Sequence, residues 1–70
     1  MRLLLRQIRT ERGVRQADLA SKLGKPQSYV SKYEGGERRL TFTEVRRVCR
    51  ALGIDFKSFV GRFEKQAPAG

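Results

Sequence analysis

The sequence predicts an all-α fold of five short helices, on three observations. Breakers divide the chain at Gly13, at Gly24-Lys25-Pro26, at Gly35-Gly36 and at Gly53. The segments between them set apolar residues three and four apart, the spacing of one helix face. No segment alternates apolar and polar residues as a half-buried strand does. The length, 70 residues, allows one domain. A domain near this size buries only ~60% of its unfolded surface, so the core is thin and takes up most apolar residues.

The first helix is expected over residues 2–12, where Leu4, Leu5 and Ile8 share a face. Gly13 is its natural stop, because glycine adopts the left-handed conformation past a helix end. The second, Gln16–Leu23, turns Leu19, Ala20 and Leu23 inward. The third, Gln27–Glu34, makes about two turns and would not hold alone in water. Only Val30 and Tyr33 give it apolar bulk on one side, while Gln27, Ser28, Tyr29, Ser31 and Lys32 face outward. The fourth has the clearest start: Thr41-Phe42-Thr43-Glu44 is a capping box, and Leu40 can staple onto Val45. Val45, Val48, Cys49 and Leu52 follow as one buried stripe. The fifth starts at Asp55 as N-cap, with Ile54 stapling onto Phe59, and carries Phe56, Phe59, Val60 and Phe63. The domain is expected to span 1–66, with 67–70 a flexible C-terminal tail.

Composition narrows the function. Sixteen Lys and Arg oppose seven Asp and Glu, a net charge of +9. Such a body attracts polyanions, meaning nucleic acid or an anionic membrane surface. An apolar fraction of 39% with regular spacing argues against disorder. With one cysteine and no histidine, the chain can form no internal disulfide and no zinc cluster. Cys49 reads as a small core residue. No catalytic constellation is present, so neither an enzyme nor a cofactor is expected. The opening MRLLLRQIR is too short an apolar run for a signal peptide. No stretch approaches the ~20 apolar residues of a membrane span. A soluble protein of a reducing cytoplasm is expected.

The second and third helices, with their joint, carry the functional signal. Gly24 suits a tight turn that needs positive φ. Pro26 presets the next helix while removing one amide donor. Two helices on so short a turn make a helix-turn-helix. The run RQADLASKLGKPQSYVSKYEGGER resembles the DNA-binding core of the Cro and lambda-repressor class, the XRE family. The matching positions are Gln16, Leu19-Ala20, Leu23-Gly24, Gln27-Ser28, Val30, Glu34 and Gly36. With the five-helix layout, the likeness extends from about Leu4 to Val60 and implies a lambda-repressor-like fold. Lys25 departs from the family's aliphatic residue at the turn. Arg15 and Pro26 stand where the family often has a Ser or Thr cap.

The resemblance implies double-stranded DNA as partner, with the third helix in the major groove. Gln27, Ser28, Tyr29, Ser31 and Lys32 are the candidate base readers. Gln can pair bidentately with adenine, and Lys can donate to guanine. Tyr29 has a second reading, in which it simply lies over Tyr33. Arg15, Gln16, Lys25, Arg38 and Arg39 are the candidate phosphate contacts, which position without reading sequence. Gln16 takes that role from the family. The resemblance also implies a structural ion pair between Arg9 and Glu34. Arg46, Arg47 and Arg50 read as an outer solvated face, with the DNA flank as the other reading for Arg46. Val60 and Phe63 lie beyond what the core needs and are dimer-interface candidates, with plain packing as the other reading.

Two functions follow from this reading. One is a sequence-specific transcriptional regulator, a homodimer on a near-palindromic operator. The other is a protein-interaction module, such as the antitoxin of a toxin–antitoxin pair, which uses the same fold. Single-stranded RNA binding fits less well, since the third helix lacks an aromatic stacking platform.

Overall fold

A computed structural model of the chain describes residues 1–66, so the tail expected at 67–70 lies outside the described residues. Its helices are α1 (Arg2–Glu11), α2 (Gln16–Leu23), α3 (Gln27–Glu34), α4 (Phe42–Leu52) and α5 (Phe56–Gln66). No strand occurs among the described residues. The helices α1 to α4 all end on the same pair of hydrogen bonds. At α2 the Lys25 N–H donates to Ala20 O at 2.9 Å and the Gly24 N–H to Ser21 O at 3.1 Å. Equivalent pairs close α1, α3 and α4, each with a glycine at positive φ. This closure satisfies the last carbonyls and reverses the chain abruptly. It also ends α1 at Glu11, one residue before the expected end, because Arg12 has already moved to φ −89° and ψ 1°.

The helix starts differ from one another. At α4 the Glu44 N–H donates to Thr41 Oγ1 at 3.2 Å, and the Thr41 N–H donates back to Glu44 Oε1 at 2.9 Å. At α5 the Ser58 N–H reaches Asp55 Oδ2 at 3.3 Å. Neither Arg15 nor Pro26 offers an acceptor to the first amides of α2 and α3. Asp18 supplies half of a box at α2, accepting the Arg15 N–H at 3.3 Å.

One core joins all five helices. Leu5 and Ile8 come from α1, Leu19 and Ala20 from α2, Val30 and Tyr33 from α3, Val48 and Cys49 from α4, and Phe59 from α5, all with at most 2% of their surface exposed. Burying one such large side chain contributes about 1.5–3 kcal/mol. For α3, with eight residues, Val30 and Tyr33 supply the stability its length cannot. Leu40 and Ile54 pack at the core margin beside the starts of α4 and α5. The α4 helix packs on α1, α2 and α5, while α3 packs on α1 and α2. Arg62 Nη2 ties α5 to α1, lying 3.0 and 2.7 Å from the carboxylate oxygens of Glu11. The Tyr33 hydroxyl is buried and finds no partner among the described residues.

Candidate nucleic-acid interface

The joint between α2 and α3 is three residues long. Gly24 sits at φ 68° and ψ 31°, where a Cβ would be strained, and the turn needs that geometry to close α2. Pro26 follows at φ −69°, and its carbonyl accepts the first bond of α3, from the Tyr29 N–H at 3.0 Å. From this start Gln27, Ser28, Ser31 and Lys32 all project into solvent. Among the described residues, the side chains of Gln27, Ser28 and Lys32 make no hydrogen bond, and Ser31 Oγ donates only to Ser28 O at 3.3 Å. The face is therefore polar, exposed and largely uncommitted.

Tyr29 is placed differently. Its hydroxyl donates to Glu44 Oε2 at 2.7 Å, across to α4. Its ring meets Tyr33 edge-on, with centroids 6.0 Å apart. Arg38 Cζ stands 4.8 Å from the ring centroid and Lys25 Nζ 5.7 Å. Tyr29 thus gathers two of the expected phosphate contacts around one ring. Arg38 Nη2 also donates to Glu44 Oε2, at 2.6 Å. The main-chain N–H of Thr41, with Tyr29 and Arg38, holds the Glu44 carboxyl down to about 2. Hydrogen bonding to Glu44 raises the Arg38 pKa further.

The other end of α3 is braced by Glu34. Arg9 grips it with Nε to Oε2 at 2.7 Å and Nη2 to Oε1 at 3.0 Å. Arg9 Nη1 donates to Val14 O at 2.7 Å, so the guanidinium also fixes the loop before α2. Gln16 Nε2 joins at 3.1 Å from Glu34 Oε1. The amide of Gln16 is therefore oriented from inside the fold, with its second N–H left for a ligand. Arg2 Nη1 donates to the Glu34 carbonyl at 2.7 Å. It does so by lying over Gly36, where an added Cβ would stand 3.2 Å from the Arg2 Cζ.

The remaining phosphate candidates are exposed. Arg15 folds back on Asp18, Nε to Oδ2 at 2.9 Å, and leaves 82% of its side chain open to solvent. Arg39 lines a cleft of about 370 Å³ with Arg2, Arg38, Gly36 and Leu40. Val60 and Phe63 are half-buried at the margin of the core, on α5. The most exposed aromatic is instead Phe42, whose ring meets Phe56 edge-on at 5.1 Å. Four features escaped the sequence reading: Arg2 on Gly36, Gln16 on Glu34, the Glu44 hub and the Arg62–Glu11 tie. Each joins residues far apart in the chain or serves a group whose nearer role was already apparent, so no spacing rule signals it. No group of His, Cys, Asp and Glu able to hold a metal occurs among the described residues. No helix among them is long and apolar enough to cross a membrane. Burial pushes the Cys49 thiol up to about 11, well away from a reactive thiolate.

The helix-turn-helix family model matches residues 5–59, from the middle of α1 into α5. A solved XRE-family like protein from Pseudomonas syringae pv. tomato str. DC3000 is 42% identical, with a TM-score of 0.84 over 93% of this chain and 79% of its own. This chain belongs to the XRE family of helix-turn-helix proteins. Within that fold it is also similar to two restriction-modification controller proteins. C.Esp1396I is 28% identical, with a TM-score of 0.86 over 91% of this chain and 84% of its own. C.AhdI from Aeromonas hydrophila is 31% identical, with a TM-score of 0.74 over 83% of this chain and 84% of its own. No curated protein matches the chain. The XRE assignment and the all-α, lambda-repressor-like fold agree with the sequence reading.

Proposed function

We propose that this XRE-family protein is a transcriptional regulator that binds double-stranded DNA sequence-specifically, as a homodimer on a near-palindromic operator. The observation that carries the reading is the outer face of α3. Four polar side chains project outward, Ser31 bonded only to the Ser28 carbonyl and the other three unbonded among the described residues. The opposite face of the helix is sealed in the core, Arg9 holds its last turn through Glu34, and its Tyr29 is held by Glu44. A polar surface anchored by its buried back, with most of its side chains free of partners in the fold, suits the edges of base pairs in the major groove. Gln27 and Lys32 are the principal readers, with Ser28 and Ser31 beside them. Lys25, Gln16, Arg15, Arg38 and Arg39 take phosphates, and Tyr29 supports Lys25 and Arg38 at the margin. The similarity to restriction-modification controller proteins supports a regulatory role.

In the dimer two copies of α3 would lie roughly 34 Å apart, one turn of the duplex. Val60 and Phe63 on α5 are the proposed contacts. About four phosphates neutralised per subunit would give a log–log salt slope near −7. The test is selection of bound duplexes from a random pool, with the mass of the complex measured. A two-fold half-site pattern and two protein chains per duplex are expected. Binding a shuffled duplex as tightly as the selected one refutes sequence reading, as does unchanged recognition by Gln27→Ala with Lys32→Ala. The second reading, a partner-binding module of antitoxin type, draws on the Phe42 ring, 67% exposed against Phe56. Co-purification of the native protein with a small toxic partner, lost in Phe42→Ser, would favour it.

A further inference from the structure

A carboxylate stands at the positive margin of the α3 face, where DNA would repel it. Glu44 Oε1 serves the cap of α4 through the Thr41 N–H at 2.9 Å. Capping needs no charge, since glutamine serves the same position. Glu44 Oε2 serves something else: the Tyr29 hydroxyl at 2.7 Å and Arg38 Nη2 at 2.6 Å. Building on the DNA-binding reading above, we propose that Glu44 is a specificity-determining residue. It locks Tyr29 and Arg38 into one geometry and cancels the charge of Arg38 toward any duplex whose phosphates α3 has not brought into register.

The electrostatics follow from the positions. Affinity for arbitrary DNA comes almost wholly from cations that displace counterions from phosphates. An arginine already held on a carboxylate contributes little of that. The Arg38 side chain is 46% exposed and that of Glu44 only 18%, so the guanidinium is reachable while the carboxylate lies behind it. A phosphate can win Arg38 only by arriving at hydrogen-bond distance with good geometry. On the operator the base contacts of α3 fix that arrival; on other duplexes nothing does. Glu44 stays ionised throughout the neutral range, its carboxyl being held down to about 2 by its three hydrogen-bond donors. The counter-charge is therefore permanent at working pH.

The test compares variants of the full chain on the selected operator and on a shuffled duplex across a range of salt. Glu44→Gln keeps the cap and frees Arg38. It is expected to tighten shuffled-duplex binding several-fold and to steepen the dimer's salt slope by about 1.8, one added phosphate per subunit, with a smaller gain on the operator. Glu37→Gln removes an equal charge from the loop beside Arg38, where the Glu37 side chain is exposed and makes no hydrogen bond among the described residues. It is expected to change discrimination far less; an equal change overturns the proposal in favour of bulk charge. Arg38→Gln leaves the cap untouched, so it remains informative even if Glu44→Gln folds poorly. It should weaken the operator complex and leave the shuffled-duplex slope unmoved. A slope lowered by about 1.8 on the shuffled duplex, one phosphate per subunit, means Arg38 was never masked, and overturns the proposal. If the unmodified protein discriminates and Glu44→Gln discriminates as well, only the role of Glu44 fails. If the unmodified protein binds both duplexes equally, the regulator reading fails and this role with it.

Discussion

Removing one partner of the Arg9–Glu34 pair should cost the domain a third or more of its stability, while removing both should cost less. The side chains are 10% and 4% exposed, and the guanidinium makes two short bonds to the carboxylate and a third to Val14 O. Arg9→Met strands a buried carboxylate with only the Gln16 amide for company. Breaking a buried pair in this way costs ~3–5 kcal/mol. Natural domains hold about 0.05–0.15 kcal/mol per residue, which for this length is about 3.5–10 kcal/mol in total. One substitution therefore consumes a third or more of the stability. Urea unfolding followed by far-ultraviolet circular dichroism measures it. At about 1 kcal/mol per molar for a chain this small, the midpoint should fall by ~3 M or more. The double variant Arg9→Met with Glu34→Leu removes both charges and should fall less than either single variant, because no ion is left alone in the core. Arg62→Ala is the control. Its partner Glu11 is half exposed, so water replaces the lost contact and the midpoint should barely move. Equal shifts for Arg9→Met and Arg62→Ala, or a double variant as damaged as the sum of its singles, would refute this reasoning. The same unfolding curves bear on function, because Gln16 loses its internal anchor along with Glu34.

Three further outcomes are expected. Tyr33→Phe should be neutral or stabilising by up to ~1 kcal/mol, since the hydroxyl is buried without a protein partner; a loss above ~1 kcal/mol in urea unfolding would reveal a hydrogen bond that the fold does not show. Gly36→Ala should cost ~1–2 kcal/mol by the same measurement, because φ is +84° and the new Cβ presses the Arg2 guanidinium off the end of α3; Gly61→Ala, in open space within α5, should be harmless. Acid should destabilise the fold through Glu44. Its folded pKa, about 2, lies below the ordinary value of 4.5, so its contribution is complete above the ordinary value and disappears as the pH falls through about 2. Thermal midpoints measured from pH 6 down to pH 2 should therefore drop, and Glu44→Gln should flatten part of that drop; identical profiles for the two proteins would assign the acid sensitivity elsewhere.

Local signals wrote most of the fold. Thr41 and Glu44 are a capping box in the sequence and in space. The glycines after α1 to α4 are where the chain reverses, because a left-handed residue at those points is a local backbone requirement. The apolar stripes led to most of the buried residues for the same reason, since helical spacing decides which side chains share a face, but Leu23 stays half-buried at the end of α2 and of the α5 stripe only Phe59 is fully buried. The site was legible only as a surface. The sequence shows that Gln27, Ser28, Ser31 and Lys32 point away from Val30 and Tyr33. It does not show that the Tyr29 hydroxyl bonds Glu44, fifteen residues on, or that Arg15 folds onto Asp18. Those choices depend on how α3 meets α4 and on which acceptor lies nearest, and spacing along the chain carries neither quantity.

The setting of Glu34 bears on how so short a helix would serve the reading role proposed for it. Glu34 lies in the last turn of α3, where the helix dipole places negative charge and a carboxylate is unfavourable. Arg9 grips its side chain and Arg2 its carbonyl, so cations neutralise that end from both sides. The first turn of α3 is the reverse case. Pro26 supplies no side-chain acceptor, so unpaired amides and the positive end of the dipole face outward beside Lys25. The helix is thus sealed at the end that would repel phosphate and open at the end that attracts it. Swapping the two would give the same packing and the same net charge but no gradient toward the duplex. The covering of Glu34 by two arginines and the uncapped first turn, more than the sixteen bases themselves, give this helix its direction.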